Sequence, residues 1–292
     1  MRYLYSNVKY VNFRFYLDKI NIYHCLILVI LSSHLTTGYY ESKAGFVNQK
    51  STYININNVH ELFNIKKLLN EFNSPRLNKI PGVIELLARF NETCQRAANA
   101  RKLGGQRNPF VVIESVYNAG RRTVTELVAH ALGGAYCNNP PRIMQGLGTA
   151  FDGVLLRRKY YALSKYASAN LVKEALPTQA VAMEKYYYDQ ACFTIAKNFM
   201  NKDDIPPKGD HIYSWPPDLL RPDMVFFLNF LKDPTTDEFT HRMIEIYKRM
   251  EPRIIEIDAA DSVHGMANKI IREINRRTGD NYTVIPEFLQ FT

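Results

Sequence analysis

Ten residues near the middle of the chain, Glu114-Ser115-Val116-Tyr117-Asn118-Ala119-Gly120-Arg121-Arg122-Thr123, directly follow the apolar run Phe110-Val111-Val112-Ile113. In open α/β sheets ligands sit at the carboxyl ends of the strands, so a loop in this position is where chemistry is expected. The segment has the frame of the phosphate-wrapping pattern G-x-x-x-x-G-K-[ST]. There, glycines let backbone N–H groups approach phosphate, a lysine carries charge and a hydroxyl ligates Mg²⁺. Only Gly120 stands unchanged. Ser115 holds the first glycine position, Arg121 the lysine position and Arg122 the hydroxyl position. Arginine keeps the charge of lysine on a wider, planar fork. Arg122 brings a cation to the place of the metal's oxygen ligand, which disfavours Mg²⁺. Thr123 supplies a hydroxyl only after a one-residue shift in register. Ser115 also stands where a positive φ is expected of the loop.

Such a loop needs a sheet to hold it. Phe110–Ile113 is wholly apolar, as for a strand buried on both faces. Thr123–Leu132, Leu155–Glu174, Ala191–Phe199, Glu238–Met250 and Ser262–Arg276 carry apolar residues at helical spacing, with Asp261 or Ser262 as cap of the last. Ala180–Met183, Met224–Leu228 and Ile254–Ile257 read as further strands. The alternation predicts an α/β domain with a mainly parallel sheet.

Upstream, residues 46–65 are rich in Asn and lack a sustained period, whereas Val59–Phe63, Ile65–Phe72 and Ile84–Ala97 have helical spacing. Pro75 and Pro81 break that run, and Ala98–Asn108, with Gly104 and Gly105, reads as a connector. The chain thus divides into a leader (1–40), a mostly helical extension with its linker (41–105) and the α/β domain (106–292), which is expected to fold by itself. In the leader, Cys25–Leu31 is seven apolar residues, too short to span a bilayer. Basic residues before it and Ser32, Ser33 and Gly38 after it suit a secretory signal. Its near absence of acids suits a mitochondrial presequence, so secretion and the mitochondrion both stay open. The sequons at Asn91 and Asn281 matter only on the secretory route.

The chain has 292 residues and a net charge of +9, but residues 106–292 hold 23 bases and 22 acids. Basicity lies in the front of the chain, which argues against nucleic acid as a partner of the α/β domain. Cys25, Cys94, Cys137 and Cys192 lack CxxC spacing, and His130, His211, His241 and His264 lack zinc spacing. No disulfide framework or metal site is expected. Glu114 reads as an anchor for the loop through backbone bonds. Tyr186, Tyr187 and Tyr188 read as packing residues, with base stacking as the rival.

Residues 110–125, FVVIESVYNAGRRTVT, resemble the first strand and phosphate loop of the thymidylate kinase superfamily, the P-loop nucleoside monophosphate kinases, nearest its mitochondrial UMP-CMP kinase branch. Further stations agree in order. Leu156–Leu163 resembles the acceptor-side helix, Val181–Tyr186 the V-D-R-Y strand end, and Trp215–Asp223 the motif W-P-x-D-L-L-x-P-D. Tyr247–Met250 and Ile257–Ala259 resemble the closing segments. The resemblance covers about residues 106–278.

The resemblance implies a three-layer P-loop NTPase-type domain with a five-stranded parallel sheet, ATP as phosphate donor and a nucleoside monophosphate as acceptor. It also implies a homodimer formed through helices. Carried over by position, Ser115, Gly120, Arg121, Arg122 and Thr123 bind nucleotide, while Arg157, Arg158 and Lys185 bind the acceptor. Glu184, as base or metal anchor, and Arg121 would be the catalytic pair of an active enzyme. The departures are as informative. Glu184 and Lys185 replace Asp-Arg, and Tyr117 replaces the loop's Asp. The arginine-bearing lid after the fourth strand is short by about twenty residues, with Lys232 and Arg242 as the nearby cations. The favoured reading is a kinase-like paralogue without ordinary Mg·ATP phosphoryl transfer, acting by binding or scaffolding. An active dTMP, UMP or CMP kinase and a secreted binding protein are the alternatives.

Overall fold

The computed structural model describes residues 57–101, 107–118, 120–151, 154–229, 237–259 and 261–279. They fall within one compact unit, Tyr53–Thr292. The leader, the linker to residue 56, Gln106, Ala119, the short connection with Lys232, Asp233 and Pro234, and the sequon at Asn281 lie outside the described residues.

Five parallel strands run in the order β2-β3-β1-β4-β5: β1 (Phe110–Glu114), β2 (Ala135–Cys137), β3 (Val181–Glu184), β4 (Met224–Asn229) and β5 (Ile255–Asp258). β1 lies at the centre, with Val111 opposite Ala182 on one side and Met224 on the other. β2 is the strand that periodicity did not find. Its three residues are too few to show a period, and only the resemblance implied a fifth strand.

Alternation along the strands sorts their side chains into two layers. Phe110, Val112, Val181, Met183, Val225 and Phe227 face one core. Val111, Ile113, Ala182, Phe226 and Leu228 face the other. The second core is covered by α4 (Arg121–Ala131) and α8 (Val263–Thr278), whose Val124, Val128, Met266 and Ile270 are buried there. The first is covered by α5 (Val154–Ala175), α6 (Tyr187–Asn198) and α7 (Glu238–Arg249). Asp237 caps α7 by accepting the Thr240 N–H at 2.9 Å. Ser262, and not Asp261, caps α8 through the Gly265 N–H at 3.1 Å. α6 starts at Tyr187, four residues earlier than its apolar spacing indicated, because the tyrosines after β3 turn straight into the core.

The extension contributes α1 (Asn57–Leu62), α2 (Ile65–Phe72) and α3 (Pro81–Arg101). Pro81 opens α3, a position where its missing N–H costs nothing and its fixed φ fits. These helices share the first core: Val59, Phe63, Leu68, Phe72, Val83, Leu86 and Phe90 are buried in one cluster with Phe110 and Leu163. Arg96 pairs with Glu174 of α5 at 2.9 Å, and Lys159 pairs with Glu71. Asp218, of the tryptophan-proline motif, accepts the first N–H of α2 at Ile65 (2.9 Å) and the Tyr166 hydroxyl (2.6 Å). The core therefore runs across the boundary expected at Gln106.

Candidate functional site

β1 and β3 are neighbours whose loops leave on opposite faces, β1 toward α4 and β3 toward α6. Their carboxyl ends therefore mark the point where the winding reverses, the place at which open α/β sheets bind ligands. Gly120 turns the loop into α4 with φ of 73°, and a Cβ there would stand 2.9 Å from Val263 of α8. A side chain is disfavoured on both counts. Among the described residues the only non-glycine with positive φ is Lys185, at 53°. Ser115 thus occupies the first glycine position without left-handed backbone, contrary to expectation. Its hydroxyl donates to the Tyr117 carbonyl.

Arg121 does not project from the loop. Its guanidinium lies inside it, with the residue 4% exposed. Nε donates to Glu184 Oε2 at 3.1 Å, and Nη1 donates to Ser115 Oγ at 2.7 Å and to the Tyr117 carbonyl at 2.9 Å. Nη2 donates to the side-chain oxygen of Asn118. Four of the five N–H groups of the guanidinium are thus engaged by the loop itself and by Glu184. The other carboxylate oxygen of Glu184 accepts the Tyr136 hydroxyl from β2. Burial pushes that phenol's pKa up, and the bond to the carboxylate adds to the shift.

Arg122 takes the opposite course. Its side chain is 73% exposed and pairs with Glu126 at 2.9 Å. The guanidinium carbon lies 5.9 Å from the centre of the Tyr136 ring. The cation expected at the metal's position is therefore turned out to the helix surface, since the residue after Arg121 points away from the loop on α4. Thr123 is exposed on the same helix.

Beneath the loop, Glu114 is fully buried. One carboxylate oxygen accepts the Tyr186 N–H at 2.8 Å and the other the Tyr247 hydroxyl at 3.4 Å. This is the anchoring role expected of it. Burial, with the charge of Asp189 adding, pushes its pKa up to about 7, against the Tyr186 N–H, Lys165 and Arg121. Lys165 of α5 is buried at the same place. Burial pulls its pKa down while Asp189 and Glu114 oppose that. Lys185 Nζ lies 3.6 Å from Asp189. Sequence reasoning missed Lys165 and Asp189. The available signal was a lysine set within Ala162-Leu163-Ser164-Lys165-Tyr166-Ala167, a stretch buried on every side.

The other candidates separate. Arg157 is exposed, whereas Arg158 turns toward Phe193 of α6, with its guanidinium carbon 5.9 Å from the ring centre. Tyr186, Tyr187 and Tyr188 are fully buried around Trp215. Their hydroxyls donate to the carbonyls of Leu220, Ser214 and Pro252. Base stacking is excluded in this arrangement. No helix among the described residues is long and apolar enough to cross a membrane.

No protein-family model matches the chain. Over 121 residues, 40% of its length, it is 30% identical to human mitochondrial UMP-CMP kinase 2, and the match spans 27% of that protein. A solved structure of thymidylate kinase from Candida albicans aligns with 59% of the chain and 92% of its own, at 15% identity and a TM-score of 0.45. The five-stranded parallel sheet between helices is the α/β fold class expected from the sequence, and over this stretch the chain is similar to a nucleoside monophosphate kinase.

Proposed function

We propose that this chain is a kinase-like protein that has lost Mg·ATP phosphoryl transfer and acts by binding or as a scaffold. One observation carries the reading: the arginine at the lysine position is spent on the loop itself. Phosphoryl transfer rests on positioning and charge neutralisation, so a working loop presents free donors to the phosphates. Here a phosphate must displace bonds from a charged donor worth about 1.5–3 kcal/mol each. Glu184 is engaged twice, by Arg121 and Tyr136, and is not free as a base or metal anchor. Arg122 offers no oxygen to Mg²⁺, which demands near-ideal octahedral oxygen ligation.

Ser115, Gly120, Arg121, Arg122 and Thr123 are then a remnant nucleotide site, with Lys185 on the acceptor side. The mitochondrial location of the relative supports an organelle over secretion. The sequon at Asn91 gives secretion little support, since it lies inside α3 with Thr93 fully buried, whereas acceptor sequons favour surface loops. Mass spectrometry of the mature N-terminus separates the two locations. The functional reading is tested by incubating the full chain with Mg·ATP and, in turn, dTMP, UMP and CMP. It predicts no diphosphate product. Robust formation of any diphosphate would establish an active kinase instead.

A further inference from the structure

The two longest helices, α3 and α5, lie side by side, and the spacing on α3 is that of a helix made to pair. Its buried residues are Val83, Leu86, Phe90, Thr93, Ala97 and Ala100. They recur at alternating intervals of three and four, as in the seam of a two-helix coiled coil. Cys94 and Arg96 flank the seam and meet α5. Asn170 Nδ2 donates to Thr93 Oγ1 at 3.2 Å and to Cys94 Sγ at 3.3 Å, and Arg96 pairs with Glu174 at 2.9 Å. Contacts advance along both helices together, from Thr93 with Asn170 to Arg96 with Glu174, so the two run in the same direction. At the start of α3 a Cβ on Gly82 would stand 2.8 Å from that of Ala150, just before α5.

α5 needs such a cover. A helix lying on a sheet buries one stripe and leaves the rest to water. α4 thus keeps Arg122, Thr123 and His130 exposed, and α8 keeps His264, Lys269, Arg272 and Arg276 exposed. In α5, by contrast, the eight consecutive residues from Ala162 to Ala169 are all buried. Eight residues span a little over two turns, so no side of the helix is left to water there. The sheet covers one side and α3 lies along another. The kinase resemblance begins only at about residue 106, after α3, and implies a homodimer formed through helices. Homo-oligomers mostly close as two-fold pairs in which one patch meets itself. A domain without α3 would find the cover for such a helix in a second copy.

We propose that the face of α5 under α3 is a subunit-pairing surface that this chain fills from within, so that the protein is a monomer with α3 in the place of a second copy's helix. This holds whether or not the loop transfers phosphate. Sedimentation velocity of the full chain should show a monomer that persists as concentration is raised, and a dimer would overturn the proposal. Ala97→Arg drives a charged side chain into the seam and should turn the full chain into a dimer whose share grows with concentration. A folded Ala97→Arg chain that stays monomeric would remove the pairing surface. Should that variant not fold, Arg96→Glu, which sets like charges against Glu174, reads the same face with the same two outcomes. Asn170→Cys sets a thiol beside Cys94 and separates docking within one chain from exchange between chains. After mild oxidation with diamide, the cross-link should lie within one chain, which runs as a monomer without reductant. A cross-linked dimer that Cys94→Ser abolishes would place α3 on a neighbouring copy, against the assignment. Where no cross-link forms, sedimentation of the full chain decides alone.

Discussion

Arg121 is the residue on which the chemistry turns. Its charge was legible in the motif frame, but its destination was not, because that depends on the Tyr117 carbonyl and the Asn118 amide, which the motif leaves unspecified. Arg121→Gln removes one partner of a pair in which Glu184 is only 13% exposed, and breaking such a pair costs about 3 kcal/mol or more. Thermal melts should show the loss, and an unchanged melting temperature would mean that Arg121 is not held inside the loop. Glu114 gives a pH signature. Its folded pKa of about 7 lies above the ordinary glutamate value of 4.5, so the folded state binds more protons than the unfolded state between these values. The sign follows: its contribution to stability is fully present below about 4.5, falls as pH rises, and is lost above about 7. Melting temperature should decline from pH 5 to pH 7.5 more steeply in the natural protein than in Glu114→Gln. Parallel profiles would remove Glu114 as the cause.

At the scale of elements, runs such as Phe110–Ile113 and Met224–Leu228 were legible because strands buried on both faces are apolar without interruption. β2 was not, at three residues, nor was the start of α6, where three tyrosines hide a helical period behind a strand end. The segment Trp215–Asp223 shows how a motif serves packing. Trp215 donates to the Leu219 carbonyl at 2.9 Å, and its ring centre lies 4.9 Å from that of Tyr187. Asp223 accepts the Phe110 N–H at 2.7 Å and fixes the start of β1. Trp215→Ala should destabilise by about 3 kcal/mol through the cavity it leaves among the tyrosines. Denaturant unfolding measures this, and a change below about 0.5 kcal/mol, the range of an ordinary surface substitution, would contradict the placement.

Across the whole molecule, the amphipathic spacing of the extension was legible, but the surface it covers was not, since helical period names a face and not its partner. The structure lays α1, α2 and α3 on the first core, and Asp218 bonds to the start of α2. A chain beginning at Arg107 should therefore lose its cooperative thermal transition and expose apolar surface to a hydrophobic dye, contrary to the independence expected from the sequence. A cooperative melt near that of the full chain would restore the boundary at Gln106. Closure of the phosphate loop by its own arginine is open to calorimetric titration of ATP into the full chain with and without Mg²⁺. Mg²⁺ should give no gain in affinity, and Ser115→Gly, Arg121→Lys and Arg122→Thr combined should create Mg²⁺-dependent binding. Binding by the natural chain that tightens tenfold or more with Mg²⁺ would contradict it.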